Sequence, residues 1–397
     1  MRSASLLLLA LALLGGARAD EDPPRWRIEV KGPLAADPPT DCVVRLTAET
    51  PGAPAPPLLA QIRIRGSSSQ VYAKKSFALK FTSAVAPLDL PADAEWILNA
   101  AFVDGSLMRH KLSYDLFRSL TAPGQPRVAA QSRFVELDLN GRYHGAYLLM
   151  QPVTGRLLGF AAPNPADPTP GVLYKAVDHA ANFGQPGHAG FDPREPNPTK
   201  GPVWGPLDEL NRFVSQTPDR EFLDPANGLA DRLDLANAID FHLLVLLTSN
   251  LDGITKNYYL ARPAATTAAP RPRFFFVPWD YDATFGRNWD GSRVGAKEWL
   301  SNRLFDRLWT DAAMRSRFRQ CWETLRAGPF RAEAIGELID ANTRALGPAI
   351  RRNEARWKQI DYAAPRELTF DEDVRQIRAW TSARLAWLDA EIARRAR

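Results

Sequence analysis

The chain has 397 residues and a nearly balanced charge, with 50 Lys and Arg residues against 45 Asp and Glu residues, which gives a formal net charge of +5. This balance gives no indication of a nucleic-acid or membrane partner. Cys42 and Cys321 are the two cysteines, so a metal centre built from thiolates is excluded and one disulfide at most can form. Two unrelated free thiols are the favoured interpretation.

The first nineteen residues predict an export signal. Arg2 gives a short basic start, residues 6–14 form an apolar run, and residues 17–19 (Ala-Arg-Ala) have the small-x-small pattern of a cleavage site. The run is shorter than the roughly 20 residues that a permanent membrane span needs. We therefore expect a mature chain that begins at Asp20, has no stable membrane span, and is exported to the periplasm, the cell surface or the exterior.

Short apolar pieces alternate with prolines over residues 20–60, which predicts an N-terminal β/loop segment. The next stretch predicts two strands joined by a Gly/Ser turn at residues 66–69. In the second strand Phe77, Leu79 and Phe81 alternate with polar or small residues, as expected of a strand with one buried face. The N-terminal half is thus predicted to be rich in β-structure.

Residues 104–206 predict a helix, a hairpin and then a long irregular segment. The helix begins near Asp104, a residue type that caps helices, and ends near Leu120. The hairpin turns at Asn140-Gly141, a pair that tolerates the positive φ angles of a type I′ turn. Residues 152–206 are rich in Pro, Gly and Asn, which favours long loops or an insertion over a separate domain.

The C-terminal half is predicted to be mainly helical. Apolar spacing indicates helices near 207–216 and 234–249, short strands at 258–261 and 273–279, and helices from about 300 to 397. A β-rich first half followed by a helical second half favours an α+β fold with two lobes.

Asp252 and Asn257 are the first candidate catalytic pair. They lie five residues apart, after a helix that is predicted to be buried and before a strand. Kinase catalytic loops use this spacing to present a carboxylate to the acceptor hydroxyl and an amide oxygen to a metal ion. Asp and Asn are also common in turns, so a purely structural role remains open at this point.

Asp280 and Asp282 are the second candidate pair, at the end of an apolar strand. Two carboxylates there can hold Mg²⁺ or Mn²⁺, hard cations that prefer oxygen ligands. A strand followed by Asp-x-Asp-x-Thr is also typical of haloacid-dehalogenase-like phosphatases, in which Asp280 would be the nucleophile and Asp282 the acid/base. That motif normally opens a doubly wound domain, whereas here a long segment precedes it and helices follow.

The Gly/Ser turn and the strands beside it are a candidate anion site. Arg65, Ser68 and the turn backbone could approach phosphates, and Lys75 or Lys80 could neutralise them. A serine-rich hairpin with exposed lysines is equally ordinary at a protein surface.

Together these segments resemble the CotH kinase family of secreted or spore-coat atypical protein kinases. The resemblance covers about residues 61–286, and its pieces are specific as a set: RGSSSQVYAKKSFALKF, WILNAAFVDGSLMRHKLSYDLF, YHGAYLLM, LYKA, NLDGITKNYYL and PWDYDATFG. It implies a protein-kinase-like fold and ATP- and Mg²⁺-dependent (or Mn²⁺-dependent) phosphorylation of Ser or Thr in a protein substrate whose identity is unknown.

The resemblance also implies site residues. Asp252 matches the catalytic aspartate, and the metal-binding positions match Asn257, Asp280 and Asp282. The basic positions of the nucleotide loop match Arg65, Lys75 and Lys80, and Asp104 and Arg109 match a family motif at the start of a helix. Gln151 stands where the family usually has Glu, at a strand end that could bind the base, and Pro152 after it removes a backbone donor.

The predicted signal (1–19) and β/loop segment (20–60) are followed by the kinase domain (61–397) that the resemblance implies. Within that domain the N-lobe would be about 61–151, the insertion about 152–206 and the C-lobe about 207–397. The non-enzymatic alternative is an exported pseudokinase or envelope scaffold that keeps the fold without turnover. The joint presence of both candidate pairs favours the enzyme, because a scaffold requires none of these side chains together.

The signal pattern generates the first prediction. We expect exported material to begin at Asp20, because cleavage follows small residues at the positions of Ala17 and Ala19. N-terminal sequencing of the exported protein tests this, and an intact Met1 on exported protein would contradict it.

Overall fold

The structure is a computed structural model, and it describes residues 22–46, 56–120, 126–160, 170–266, 271–357 and 369–397. The predicted signal segment lies outside these ranges. Among the described helices, none combines the length and the apolar character that a membrane crossing requires. Cys42 in a buried strand and Cys321 in a helix are both free thiols, which confirms the favoured interpretation.

Seven strands of the N-terminal half form a closed barrel. Its strands are β1 (Arg25–Val30), β2 (Thr40–Arg45), β3 (Leu58–Arg65), β4 (Ser76–Val85), β5 (Asp93–Asn99), β6 (Ser132–Leu139) and β7 (Arg142–Met150). The barrel order is β1-β2-β3-β4-β5-β7-β6, and the parallel pairing of β1 with β6 closes it. The described strands of the predicted segment 20–60, namely β1, β2 and the start of β3, are therefore part of this barrel and not a separate segment.

The sequence pattern explains the barrel wall. In β4 the side chains of Phe77, Leu79 and Phe81 are buried in the barrel core, as alternation predicted, while Lys80 lies on the outer face. The hairpin between β6 and β7 turns at Asn140 and Gly141, whose φ angles of 49° and 74° are those of the predicted type I′ turn.

A second sheet of four antiparallel strands lies beyond the barrel, in the order β11-β10-β8-β9. These strands are β8 (Val172–Ala176), β9 (Phe191–Glu195), β10 (Tyr258–Arg262) and β11 (Phe275–Pro278). β8 and β9 lie in the segment 152–206 that was predicted to be loops. Each strand has only five residues, and turn residues separate the two, so the sequence pattern for a strand is weak. In the structure, pairing with β10 stabilises β8 as a strand.

Helices form most of the C-terminal half. They are α1 (Arg109–Ser119), α2 (Gly205–Gln216), α3 (Asp219–Phe222), α4 (Leu235–Thr248), α5 (Arg303–Thr310), α6 (Ala312–Ala327), α7 (Ala332–Leu346), α8 (Ala349–Trp357) and α9 (Phe370–Arg395). α4 is almost wholly buried, and the Asp234 side chain caps it by accepting hydrogen bonds from two backbone N–H groups. α1 begins five residues later than predicted, because Asp104 holds the preceding turn instead of capping the helix.

The structure confirms an α+β fold with a β-rich N-terminal half and a helical C-terminal half. A closed seven-stranded barrel is not by itself diagnostic of a kinase N-lobe, so the barrel alone does not identify the fold as two-lobed and kinase-like.

Contacts between α8 and β7 join the two halves. The buried Lys74 ammonium donates hydrogen bonds to the carbonyl oxygens of Ala100 and Ala146 and to Oδ1 of Asn353. The same Asn353 oxygen accepts a hydrogen bond from the backbone N–H of Ala146 at 3.1 Å. One amide oxygen of the helical half therefore satisfies two buried donors of the barrel.

We predict that Asn353→Ala lowers the free energy of unfolding by about 2–4 kcal/mol, because a buried ammonium loses one of its three acceptors and a buried N–H loses its acceptor. Chemical denaturation measures this. Asn342→Ala is the matched control, since Asn342 is also buried in a helix but its Nδ2 has no hydrogen-bond partner in the described structure. Asn342→Ala should lower the free energy of unfolding by about 1 kcal/mol or less. Equal losses of stability in the two variants would contradict the role of Asn353 as the acceptor for two buried donors.

Candidate active site

The loop after α4 positions Asp252 and Asn257. The loop begins at Ser249, which ends the helix in the left-handed conformation. The side-chain oxygen of Asn250 accepts a hydrogen bond from the N–H of Gly253 at 2.9 Å. At its far end Asn257 has a φ of 59°, and its N–H donates to the carbonyl oxygen of Ala176 in β8. The loop is therefore fixed at both ends by the helix and the second sheet.

The loop after β11 positions Asp280 and Asp282. The N–H of Asp280 donates to the Tyr114 hydroxyl at 3.0 Å, and the N–H of Tyr281 donates to Nδ1 of His110 at 3.0 Å. Both acceptors belong to α1. Asp280 also has a φ of 59°, a conformation that non-glycine residues adopt mainly where the surroundings enforce it. α1 thus fixes the position of the loop that carries Asp280 and Asp282, which we call the carboxylate loop.

The two loops meet in one cavity of about 670 Å³, a size typical of small-molecule sites. Its wall includes the four predicted residues Asp252, Asn257, Asp280 and Asp282, together with Arg65 and Ser68 from the barrel side. Residues that are separated by up to about 200 positions in the chain therefore share one site at the junction of the two halves.

Asp280 and Asp282 have the geometry of a divalent-cation site. Each offers a carboxylate oxygen within 4.8 Å of the other. Burial, then the nearby charges of Asp280 and Asp104, raise the pKa of Asp282 well above its ordinary value. Two such carboxylates repel each other, and an ion with oxygen preference, such as Mg²⁺ or Mn²⁺, would neutralise them. The residues present therefore fit the metal that the sequence predicted.

His110 lies next to these carboxylates, with a ring nitrogen within 4.8 Å of an oxygen of each, but its tautomer does not suit a metal ligand. Its Nε2 atom is 3.9 Å from Oδ1 of Asp280 and 3.9 Å from Oδ2 of Asp282. Because Nδ1 already accepts the N–H of Tyr281, the neutral ring carries its hydrogen on Nε2. Burial lowers the pKa of His110, with Arg65 adding to the effect and Asp280 and Asp104 opposing it. His110 is therefore a neutral donor that faces the carboxylates.

Asp252 lies between two basic side chains. Lys256 Nζ is 3.1 Å from one carboxylate oxygen, and His179 Nε2 is 3.6 Å from the other. His179 is itself held through its Nδ1 atom, which lies 2.7 Å from the Thr255 hydroxyl. The Asp252 side chain remains 31% exposed, so a hydroxyl group entering the cavity can reach it.

Three predicted nucleotide-binding residues are not among those that line the cavity. Lys75 donates to the carbonyl oxygen of Gln70, and Lys80 lies on the outer barrel face near Glu95. Gln151 is buried, where its side-chain oxygen accepts the N–H of Gln131. The geometry gives no support to nucleotide contact at these positions, because strand alternation and local pairing direct these side chains elsewhere.

The cavity also contains a cation that the sequence analysis missed. Lys175 of β8 lines the wall, and its Nζ atom is 6.0 Å from the Trp279 ring. The signal was present in the LYKA segment, where a lysine stands between the buried side chains of Tyr174 and Ala176. It was missed because the segment was interpreted as a loop.

Arg109 supports the site from behind. Its buried guanidinium pairs with Asp104 and with both carboxylate oxygens of Asp373 at the start of α9, and its Nε donates to the carbonyl oxygen of Thr284 at 2.9 Å. Burial lowers the pKa of Arg109, but Asp373 and Asp104 outweigh it and raise the pKa above the ordinary value. Arg109 and its partners Asp104 and Asp373 therefore support the site structurally and do not line the cavity.

Comparison with known proteins places these features in a family. The family model described as CotH kinase protein matches residues 62–388. Inner spore coat protein H of Bacillus subtilis (strain 168) is 28% identical over 274 residues, which are 66% of this chain and 69% of that protein. The region that the family model matches includes both candidate loops, Arg109 and Asp373.

We predict that Asp282→Asn abolishes most of the stabilisation by Mg²⁺ or Mn²⁺. An ion present at 100 times its dissociation constant should stabilise the wild type by about 2.7 kcal/mol. Without metal the variant should be as stable as the wild type or more stable, since one of two adjacent carboxylates is neutralised. Differential scanning calorimetry with metal and with chelator measures both effects. Asp192→Asn, which lines the same cavity, should keep the metal response; equal responses in Asp282→Asn and wild type would contradict the site.

Proposed function

The chain belongs to the CotH kinase protein family, and we propose that it is an exported kinase that transfers a phosphoryl group from metal-bound ATP to Ser or Thr of a protein substrate. The observation that carries this proposal is the convergence of Asp252, Asn257, Asp280 and Asp282 in one cavity. A catalytic carboxylate, an amide oxygen and a pair of carboxylates are the polar groups that phosphoryl transfer needs.

Each side chain takes one role in this proposal. Asp280, Asp282 and the Asn257 amide oxygen would hold the divalent ion, which neutralises phosphate charge when bound. Asp252 orients the acceptor hydroxyl and accepts its proton. The hydroxyl oxygen forms a bond to the γ-phosphorus while the bond from that phosphorus to the bridging oxygen of ADP breaks. Positioning and charge stabilisation supply most of the catalysis in such a reaction.

The Asp252 surroundings suit this role. Lys256 and His179 approach the two carboxylate oxygens from different sides. These contacts orient the carboxylate, while its partial exposure leaves room for an acceptor side chain. A residue that serves only as a turn former requires neither a cationic neighbour nor access to a cavity.

The two halves take the places of kinase lobes in this proposal. The barrel side contributes Arg65 and Ser68 to the cavity, and the helical half contributes the two acidic loops. The domain boundaries near residues 152 and 207 are proposed with one revision, since β8 and β9 are part of the site sheet. The boundary near residue 61 is dropped, because β3 (Leu58–Arg65) crosses it and pairs with β2 in the barrel. Export is also part of the proposal; the related Bacillus subtilis protein is named as a spore coat protein.

The phosphatase alternative requires a doubly wound parallel sheet beside the Asp280 loop. Here β11 is the edge strand of an antiparallel sheet. A phospho-aspartyl intermediate at Asp280 would nevertheless identify a phosphatase. The scaffold alternative predicts nucleotide binding without transfer. Incubation of the mature chain with labelled ATP, Mg²⁺ or Mn²⁺ and a serine-rich acceptor separates these outcomes.

We predict that Asp252→Asn lowers the transfer rate by roughly 10²- to 10⁴-fold, because the side chain keeps its shape but can no longer accept the hydroxyl proton. Folding and ATP affinity should change little. Single-turnover transfer from labelled ATP measures the rate, and calorimetry measures ATP affinity.

Asp178→Asn is the matched control for this experiment. Asp178 is an exposed carboxylate next to His179, and its oxygen accepts a backbone N–H, which an amide oxygen can also do. This variant should transfer at the wild-type rate. Transfer by Asp252→Asn at the wild-type rate, or loss of its folded structure, would show that Asp252 is a structural turn residue.

A further inference from the structure

Two cations contact the same tryptophan ring in the cavity wall. The guanidinium carbon of Arg65, at the end of β3, is 5.8 Å from the Trp279 ring centroid, and Lys175 Nζ of β8 is 6.0 Å from it. Trp279 is buried, stacks on Tyr114 and immediately precedes Asp280. The two cations therefore lie beside the carboxylate loop on a rigid aromatic support.

Neither cation forms a direct ion pair with a carboxylate of the described residues, although the charge of Asp280 acts on both. Within the described ranges, Arg65 and Lys175 form no hydrogen bond or ion pair, and their contacts with the Trp279 ring are their specific interactions. Two other cations that line the cavity are paired with carboxylates: Arg194 lies 3.1 Å from Asp192, and Lys256 lies 3.1 Å from Asp252. Arg63, which also lines the cavity, forms no ion pair within the described ranges but is exposed to solvent. A half-buried charge without a counter-charge is unfavourable unless a ligand supplies one.

The surroundings of Lys175 make its positive charge still less favourable without an anionic ligand. Burial lowers its pKa, and the positive charges of Arg194 and Arg65 lower it further, while Asp280 and Asp192 oppose the shift. Burial also lowers the pKa of Arg65. An anion that contacts both side chains would compensate both positive charges at once.

The neighbouring carboxylates narrow the class of ligand. A simple anion would be attracted by Arg65 and Lys175 but repelled by Asp280 and Asp282. A polyphosphate that carries a divalent cation satisfies both groups, because its oxygens meet the two cations while its metal meets the two carboxylates. Arg can bind two phosphate oxygens in a fork, and Lys adds a point charge.

We propose that Lys175 and Arg65 form a clamp for the phosphates of the metal-bound nucleotide, with both side chains placed against the Trp279 ring. The assignment rests on the proposed function and specifies its phosphate subsite. It places the phosphate lysine in β8, within the segment 152–206, and not at Lys75 or Lys80. The segment that was predicted to be an insertion is then part of the substrate-binding machinery.

Binding measurements with three ligands test the clamp: ATP with Mg²⁺, adenosine, and inorganic tripolyphosphate with Mg²⁺. Lys175→Ala and Arg65→Ala should each weaken ATP and tripolyphosphate binding by about 10- to 100-fold, the effect of a lost hydrogen bond to a charged group. Adenosine binding should be unchanged. Lys175→Arg should recover part of the loss. Lys75→Ala and Lys80→Ala are matched lysine controls and should stay within about threefold of wild type.

A stability measurement separates ligand binding from a structural role. Because Lys175 has no anionic partner to lose, Lys175→Ala should be as stable as the wild type without ligand, and Lys175→Gln provides a second variant if Ala does not fold. If Lys175→Ala and Lys175→Gln both have a lower midpoint of unfolding than the wild type, and both bind ATP with unchanged affinity, the clamp is refuted.

The remaining outcomes distinguish the clamp from the kinase proposal. Wild-type ATP transfer with undiminished ATP affinity in Lys175→Ala would refute the clamp and leave the kinase intact. Tripolyphosphate binding that depends on Lys175, without any transfer from ATP, would support the clamp and refute the kinase. Absence of binding by both phosphate ligands in the wild type would refute the clamp.

Discussion

The buried guanidinium of Arg109 is the interaction on which the site depends. It joins the start of α1, the start of α9 through Asp373 and the carboxylate loop through the carbonyl oxygen of Thr284. Asp104 accepts from its side chain and from its backbone N–H. Burying one cation with two carboxylates is tolerable only while all are paired, and loss of one partner from such a group typically costs about 3–5 kcal/mol. The position of the carboxylate loop is therefore coupled to the packing of α9.

This support allows the protein to hold unfavourable features where the ligand would bind. Asn257 and Asp280 both have a φ of 59°, and Ala101 in the same cavity wall has a φ of 46°. Each such residue costs on the order of 1–3 kcal/mol and persists only where the surroundings enforce it. The carboxylate pair and the unpaired cations beside Trp279 are further local costs. A bound metal ion would relieve the repulsion between the carboxylates, and phosphate groups would neutralise the cations. The site is therefore arranged for a ligand that carries a positive metal ion and negative phosphates.

Much of the fold follows from local patterns. Alternation identified the buried face of β4, and Asn140-Gly141 identified the β6–β7 turn, because each signal resides in a few adjacent residues. The sequence also placed Asp252, Asn257, Asp280 and Asp282 in two candidate loops, and the structure brings both loops to one cavity. It did not indicate that β1 closes a barrel with β6, because β1 pairs there with a strand more than one hundred residues later.

The sequence by itself determined which residue types stand next to each other: an acidic pair after an apolar strand, and an Asp and an Asn five residues apart in one loop. Those features depend on neighbours in the chain. Only the tertiary structure decided which cations face the carboxylates. Lys75 and Lys80 are directed away from the cavity by local pairing and strand alternation, whereas Lys175 reaches it because β8 pairs with β10 next to the strand that delivers Asp280. Likewise Arg109 meets Asp373 across 264 positions of the chain. Charge pairing of this kind depends on distance in space, which no local sequence pattern specifies.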